Sequence, residues 1–350
     1  VYITILNEVF SAKERWNMKR CMKIIIALAV VFMFASASFG CQSNVGKPLS
    51  NTNHGVEIKT FGRYAQNLVT DEALIENLKT APEDNDGRIT YGDGQYEKIT
   101  ATPYRTGLKF SDGTKIETCK EYFFEVAPVT WYALDSSNGK TLLFAEKILD
   151  VSLFSDKTEM EGCGFGFYYT GKDYPNDWSC SKLREFMNGK MFDSLFDEVE
   201  AKGGVVTTRV SSAYPESYFK AHSSQIPVVS DKVFAPSYKE LVTAEYGFTE
   251  DGENYDCLRM AEPTDYALAK GCKIFESNAK EGYTDYERDS VLNRNGDYWL
   301  RTVGHDIYYA GICRYTGAVG KYYAYVNNAS QNKQSEFIGV RPAVTVQIAL

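Results

Sequence analysis

The order in which strand-forming and helix-forming segments succeed one another restricts this chain more than any single motif. Residues 122–126, 129–134 and 140–145 are dominated by β-branched and aromatic side chains, and Asp135-Ser136-Ser137-Asn138-Gly139 supplies a turn before the last of them. A β-meander is expected there. Residues 88–91 and 96–100, joined through Gly92-Asp93-Gly94, read as two shorter strands ahead of it. Short helices follow over 181–187 and 191–201. The second carries Phe192, Leu195, Phe196 and Val199 along one face and stops at Gly203-Gly204. Val233-Phe234-Ala235-Pro236 reads as a strand end, with Ser237 capping a helix through Tyr246. The last quarter returns to strands over 298–302, 307–315, 322–326 and 338–348. Strands, then helices, then strands, without βαβ alternation, predict an α+β fold with mainly antiparallel strands and a few short helices.

The chain begins with a different signal. Met18-Lys19-Arg20-Cys21-Met22-Lys23 is basic and runs into the apolar residues 24–34, the n-region and h-region of a signal peptide. A spanning helix needs roughly 20 apolar residues, about twice this run, so it reads as a cleaved signal. Residues 1–17 read as an upstream extension, with Met18 or Met22 as the start. Two cleavage patterns compete. Ala35-Ser36-Ala37 suits ordinary signal peptidase, whereas Ser38-Phe39-Gly40-Cys41 resembles a lipobox, followed by the polar tether Gln42-Ser43-Asn44-Val45-Gly46-Lys47. Ser38 and Phe39 depart from the usual lipobox, but Gly40-Cys41 is in place. The expectation is an exported lipoprotein of the cell envelope, held to the membrane through a lipid on Cys41, with plain secretion as the alternative. The expected domains are 1–40 (extension and signal), 41–87 (tether and a helical segment) and 88–350.

Cysteine usage agrees with export. Of eight cysteines, Cys21 leaves with the signal and Cys41 is taken by lipid. Cys119, Cys163, Cys180, Cys257, Cys272 and Cys313 remain, an even set suited to an oxidising compartment. Cys257–Cys272 is the disulfide to test first, because the loop between them contains a helix start and can return its ends to bonding separation. The chain carries −8 in all. Residues 1–40 hold five basic and two acidic side chains, leaving about −11 beyond them. Such a surface disfavours nucleic acid and anionic lipid as partners.

Between tether and meander, Leu68, Ala73, Leu74 and Leu78 recur at helical spacing over residues 64–79, ending at Ala81-Pro82. Glu83-Asp84-Asn85-Asp86-Gly87 invites comparison with a calcium loop, but counting back from Gly87 places Pro82 where the first ligand belongs. It reads as a turn. The three histidines, His54, His222 and His305, are scattered without zinc spacing. No nucleophile elbow or phosphate-cradling glycine loop is present. No metal or cofactor is expected.

Specific residues carry a resemblance. Gly339-Val340-Arg341-Pro342-Ala343, the upstream Trp299-Leu300-Arg301, Phe124-Glu125-Val126-Ala127-Pro128-Val129-Thr130-Trp131, Lys182-Leu183-Arg184-Glu185-Phe186-Met187-Asn188, Lys232-Val233-Phe234-Ala235-Pro236-Ser237 and Glu262-Pro263-Thr264-Asp265-Tyr266-Ala267 occur in order. Together they resemble an uncharacterised domain family of exported and surface bacterial proteins, over about residues 88–350. Thr302-Val303-Gly304 and Thr345 depart from its pattern. The resemblance implies the C-type-lectin-like architecture, shared with formylglycine-generating enzymes and hypervariable receptor proteins. A fold with that range of uses does not name a function.

Trp131, Trp299, Leu300, Arg301, Gly339, Arg341 and Pro342 are read as structural. Buried arginines commonly satisfy loop carbonyls, although an anion-binding role is the competing reading. Glu262-Pro263-Thr264-Asp265 is similar to the calcium-and-sugar motif of lectins, but Thr264 also fits a helix cap. An enzymatic alternative, a cysteine-dependent oxidase related to the formylglycine-generating enzymes, would rest on Cys313, yet no second cysteine follows it. The preferred expectation is a non-catalytic domain recognising a surface glycan or protein. In the architecture that the resemblance implies, the loops before the last strand are displayed at one end, and Asp306, Tyr308, Tyr309, Arg314, Tyr315, Tyr323, Tyr325 and Asn327 lie there, beside Tyr322. Tyrosine and asparagine combine flat contact area with hydrogen bonding, and strand alternation allows only part of the set to face outward.

Overall fold

A computed structural model describes residues 56–155, 176–196, 199–211, 228–276, 293–304, 309–320, 322–326 and 337–347, all within one unit spanning Ser43–Leu350. The signal-like segment, Cys41, the polar tether and Cys163 lie outside the described residues. So do Asp306, Tyr308 and Asn327. Among the described residues no helix is long and apolar enough to cross a membrane.

The fold is α+β with mostly antiparallel sheets. Its first element corrects an expectation, because residues 64–68 are the end of strand β1, Glu57–Leu68, and not helix. Tyr64 and Ala65 are buried, and Tyr64 donates its hydroxyl to Asp150 Oδ2 at 2.6 Å. Burial against a sheet outweighs the apparent helical spacing. The helix starts later, as α1, Glu72–Leu78, whose N-cap Asp71 accepts from the Leu74 amide. β1 pairs antiparallel with β4, Glu121–Ser137, from Glu57↔Ala133 to Leu68↔Phe124. The folded domain therefore begins well before residue 88.

The expected pair of strands over 122–134 is the one 17-residue strand β4. β1 runs along one flank of it. The other flank is shared by β3, Gly94–Thr100, which pairs with 121–125, and β5, Lys140–Ala145, which pairs with 131–137. Pro128 falls in the gap between those two registers, where a missing N–H leaves fewer ladder bonds unmade. β2, Arg88–Tyr91, completes the edge. In the turn before it, Asp84 Oδ1 accepts from the Asp86 and Arg88 amides, so its side chain closes a turn.

Four short strands, β7 (Val205–Val206), β8 (Thr208–Val210), β9 (Val229–Asp231) and β10 (Val233–Phe234), precede β11 in the chain, and a second, five-stranded sheet has the order β13, β12, β11, β14, β6. These are Tyr323–Tyr325, Tyr309–Cys313, Tyr298–Val303, Gly339–Val340 and Asp150–Val151. The parallel pairing in it joins β11 to β14 at Tyr298↔Gly339. The expected final strand over 338–348 is divided by Arg341-Pro342, which carries the chain from β14 into β15, Ala343–Val346, of the eight-stranded sheet. That crossing explains the Gly-Val-Arg-Pro-Ala motif. A Cβ on Gly339 would lie 2.4 Å from Ile148 Cγ2. The Pro342 carbonyl accepts from the Ala145 amide. The buried Arg341 donates to the carbonyls of Ala145 (2.7 Å), Arg259 (2.8 Å) and Leu258 (3.1 Å) and lies 3.9 Å from the Phe144 ring centre.

The helices between are short. α2, Lys182–Phe186, gives way to a π-turn over Met187–Met191 with non-helical Gly189, then to α3, Phe192–Leu195. The expected helix over 191–201 breaks at Phe196 (φ −132°, ψ 64°), and α4, Val199–Gly204, follows. α5, Tyr238–Leu241, begins with a complete capping box between Ser237 and Glu240. It ends earlier than expected, with a 3₁₀ turn over Ala244–Tyr246 closed by Gly247 at φ 87°. Thr264 caps α6, Asp265–Ala269, by accepting from the Ala267 amide.

The core spans both sheets. Trp131, Trp178 and Trp299 are all buried, and each indole N–H has an acceptor: the Phe61 carbonyl, Asp231 Oδ2 and the Ser152 carbonyl. Arg301, also buried, differs from a pure carbonyl binder. It bonds the Ser211 and Ala235 carbonyls and grips both carboxylate oxygens of Glu240 at 2.7 and 2.6 Å.

Candidate recognition surface

β12 and β13 are joined by a turn in which Gly317, at φ 78°, donates to the Arg314 carbonyl and the Arg314 amide donates to Ala318. The turn leaves Arg314 and Tyr315 half-buried. The Arg314 guanidinium lies 5.2 Å from the ring centres of both Tyr315 and Tyr322. Tyr315 stacks on Phe275, with centres 4.6 Å apart and planes 4° from parallel. The result is a ladder, Phe275–Tyr315–Arg314–Tyr322, with Tyr322 38% exposed at its outer end. Asp297, the residue before β11, is buried beside it, and its Oδ1 accepts the Tyr315 amide at 2.9 Å and faces Arg314 Nε at 3.5 Å.

Arg314 and Tyr315 thus come together with Tyr322. Tyr309 and Tyr323 are half-buried on the hairpin behind the turn, and Tyr325 stands opposite Tyr309 in the strand register. Tyr309 contributes its carbonyl, which accepts from the Gly304 amide and from Asn176 Nδ2.

A second loop, missed in the sequence, meets this turn. The amides of Val319 and Gly320 both donate to the Gly252 carbonyl, and a Cβ on Gly317 would lie 2.5 Å from the Asp256 carbonyl oxygen. Tyr255, 39% exposed, is the neighbour of Asp256. Arg259 holds the junction from below. Fully buried, it donates to Gly317 O (2.6 Å), Leu241 O, Thr249 O and Oγ1, Asp251 O and Asn254 O. Asp256 reinforces the loop by accepting from the Thr249 amide and hydroxyl. A lone arginine in a polar stretch carries no sequence signal of such burial. The Gly252 turn between two acidic residues was the visible hint of a compact loop.

Two acidic side chains have structural work, one of them Asp265 of the lectin-like string. Asp265 accepts from the Ser111 amide and hydroxyl, and Asp177 caps the 3₁₀ turn Trp178–Cys180. Among the described residues, no group of three or more His, Cys, Asp or Glu side chains is placed to hold a metal. The expected Cys257–Cys272 bridge is not formed, and none of the five described cysteines is in a disulfide. Cys257 is exposed, whereas Cys272 is buried with its thiol toward the Lys273 carbonyl at 3.9 Å. Burial raises the Cys272 thiol far above its ordinary value and pushes that of Cys313 up to about 12.

Residues 138–348 match a protein family described as a domain of unknown function, DUF6273. The chain belongs to this family. No curated protein and no solved structure matches it. The DUF6273 span holds the ladder, the Arg259 junction and the Arg341 crossing, but it begins after β4. β1 to β4 supply Trp131 and half of the strands of the larger sheet, so the DUF6273 segment is completed here by the strands that precede it.

Proposed function

We propose that this DUF6273 protein is an exported bacterial lipoprotein, lipidated on Cys41, whose domain has a C-type-lectin-like architecture and recognises a surface glycan or protein without catalysis. One observation carries the reading: two loops distant in sequence each present an exposed tyrosine, Tyr255 and Tyr322, around a junction that the buried Arg259 ties together. Aromatic side chains held on a rigid base lose little conformational freedom on binding, which favours recognition. The basic and apolar residues 18–34, with Gly40-Cys41 after them, support export and anchoring. The Trp299-Leu300-Arg301 strand beside the terminal crossing supports the lectin-like architecture.

The oxidase alternative requires a reactive thiolate. Cys313 is wholly buried, its thiol 3.7 Å from the Arg259 carbonyl, and it keeps its proton at physiological pH. That favours the non-catalytic reading. The test is a glycan array probed with the full chain and with Tyr322→Ala, beside capture of protein ligands from the native cell envelope. Truncating an interface tyrosine should weaken binding at least about tenfold without lowering the melting temperature. A Tyr322→Ala protein that binds every ligand of the wild type equally well would overturn the assignment.

A further inference from the structure

One carboxylate oxygen controls two consecutive residues of the recognition turn. Asp297 Oδ1 accepts the Tyr315 amide at 2.9 Å and faces Arg314 Nε at 3.5 Å, while the Asp297 side chain is 8% exposed. The Tyr315 ring is trapped between Phe275 and the Arg314 guanidinium, which also covers Tyr322. Asp297 thus sets both the backbone position of Tyr315 and the direction of the arginine that joins the two tyrosines.

The groups facing this carboxyl come from three segments. Arg314 belongs to the turn, Cys313 to the end of β12, and Cys272 and Lys273 to the segment leading to Phe275. Both thiols are pushed upward by burial, as is the hydroxyl of Tyr298, the next residue on the strand. β14 contributes the Gly339 amide to the Asp297 carbonyl and brings no charge. Asp297 is the carboxyl among these groups, so acidification acts on it by removing its negative charge.

We propose that Asp297 is the positioning residue of the recognition surface: its carboxylate latches Arg314 and Tyr315 in place, and protonation releases them, making the surface pH-dependent. The consequence for binding rests on the recognition reading above. The latch itself stands on geometry alone. Burial raises the carboxyl above its ordinary value of 3.8, outweighing the Arg314 charge, the Tyr315 amide and Lys273. A raised folded-state value means that Asp297 contributes stability fully at low pH and loses it as pH rises through that value. Protonation therefore loosens Arg314 and Tyr315 about a carboxyl that stays buried, because an opening that exposed Asp297 to water would instead be opposed by acid.

Asp297→Asn separates the two effects, because it keeps the shape and an acceptor oxygen but has no charge. Hydrogen exchange of the full chain, corrected for intrinsic rates, is followed over residues 313–322 from pH 4 to pH 7.5, with the Asp297 carboxyl titrated by carbon NMR. Wild-type protection should fall about tenfold as pH drops, with a midpoint matching the carboxyl titration. Asp297→Asn should show the low-pH protection throughout, with a neutral-pH melting temperature no lower than wild type. Unchanged protection in Asp297→Asn, a pH-independent wild type, or a fall in melting temperature parallel to the loss of protection would each overturn the latch. These measurements need no ligand, so a failure of the latch is distinguishable from a failure of the recognition reading.

Discussion

The Arg259 guanidinium donates to the Gly317 carbonyl at 2.6 Å, from a position wholly inside the protein. The same side chain holds the carbonyls of Thr249, Asp251 and Asn254, so one residue joins the two loops that carry Tyr255 and Tyr322. Arg259→Lys keeps the charge but cannot reproduce a planar fork with five donors. Each buried carbonyl left unpaired costs about 1–3 kcal/mol, and a loss of at least about 3 kcal/mol is expected. Urea unfolding measures it. A loss below about 1 kcal/mol would show that the junction does not depend on Arg259.

Much of this architecture was legible beforehand, and the misreadings have physical causes. Ser237 and Thr264 as helix caps are local chemistry, visible within three residues. The Trp299-Leu300-Arg301 and Gly339 to Ala343 strings mark a buried strand and a sheet crossing, both of which strongly restrict residue type. β1 was hidden because Leu68 and Leu74 lie in different elements, and only pairing with β4 shows that Tyr64 belongs to a sheet. Arg259 was hidden because five of its partners are backbone carbonyls, which leave no side-chain signature. The disulfide expectation rested on loop length and compartment, neither of which reports which way Cys257 and Cys272 face.

Trp299→Ala should cost about 3–5 kcal/mol, since it removes a fully buried ring and leaves the Ser152 carbonyl without its indole donor. Arg341→Ala should also destabilise, by at least about 2 kcal/mol, through the carbonyls of Ala145, Leu258 and Arg259. Thermal and urea unfolding read both. An Arg341→Ala protein with wild-type stability and lost binding would reassign that arginine to a ligand.

Glu240 predicts a pH dependence. Burial alone would raise its carboxyl, but the Arg301 charge and the bonds with Arg301 and Ser237 outweigh burial and hold it below its ordinary 4.5. A depressed folded-state value contributes stability that is complete above the unfolded value and disappears as pH falls through the folded one. The stability difference between wild type and Glu240→Gln should therefore be full at pH 6 and shrink below about pH 4.5. A difference that is constant from pH 6 to pH 3 would contradict the Arg301–Glu240 pairing.

Alkylation of the native protein should modify exposed Cys119 and Cys257 and spare buried Cys272 and Cys313 until the chain is unfolded. Non-reducing peptide mapping is the check. A recovered Cys257–Cys272 peptide would restore the bridge that the fold does not form.

If Tyr255 and Tyr322 belong to one recognition surface, a double-mutant cycle on affinity shows them coupled. The ligand is the one found by array or envelope capture, and its affinity is measured for wild type, Tyr255→Ala, Tyr322→Ala and the double variant. Each single change is predicted to weaken binding about tenfold, with a coupling of at least about 0.5 kcal/mol between them and no change in melting temperature. Wild-type affinity in both single variants, in protein that remains folded, would contradict the account.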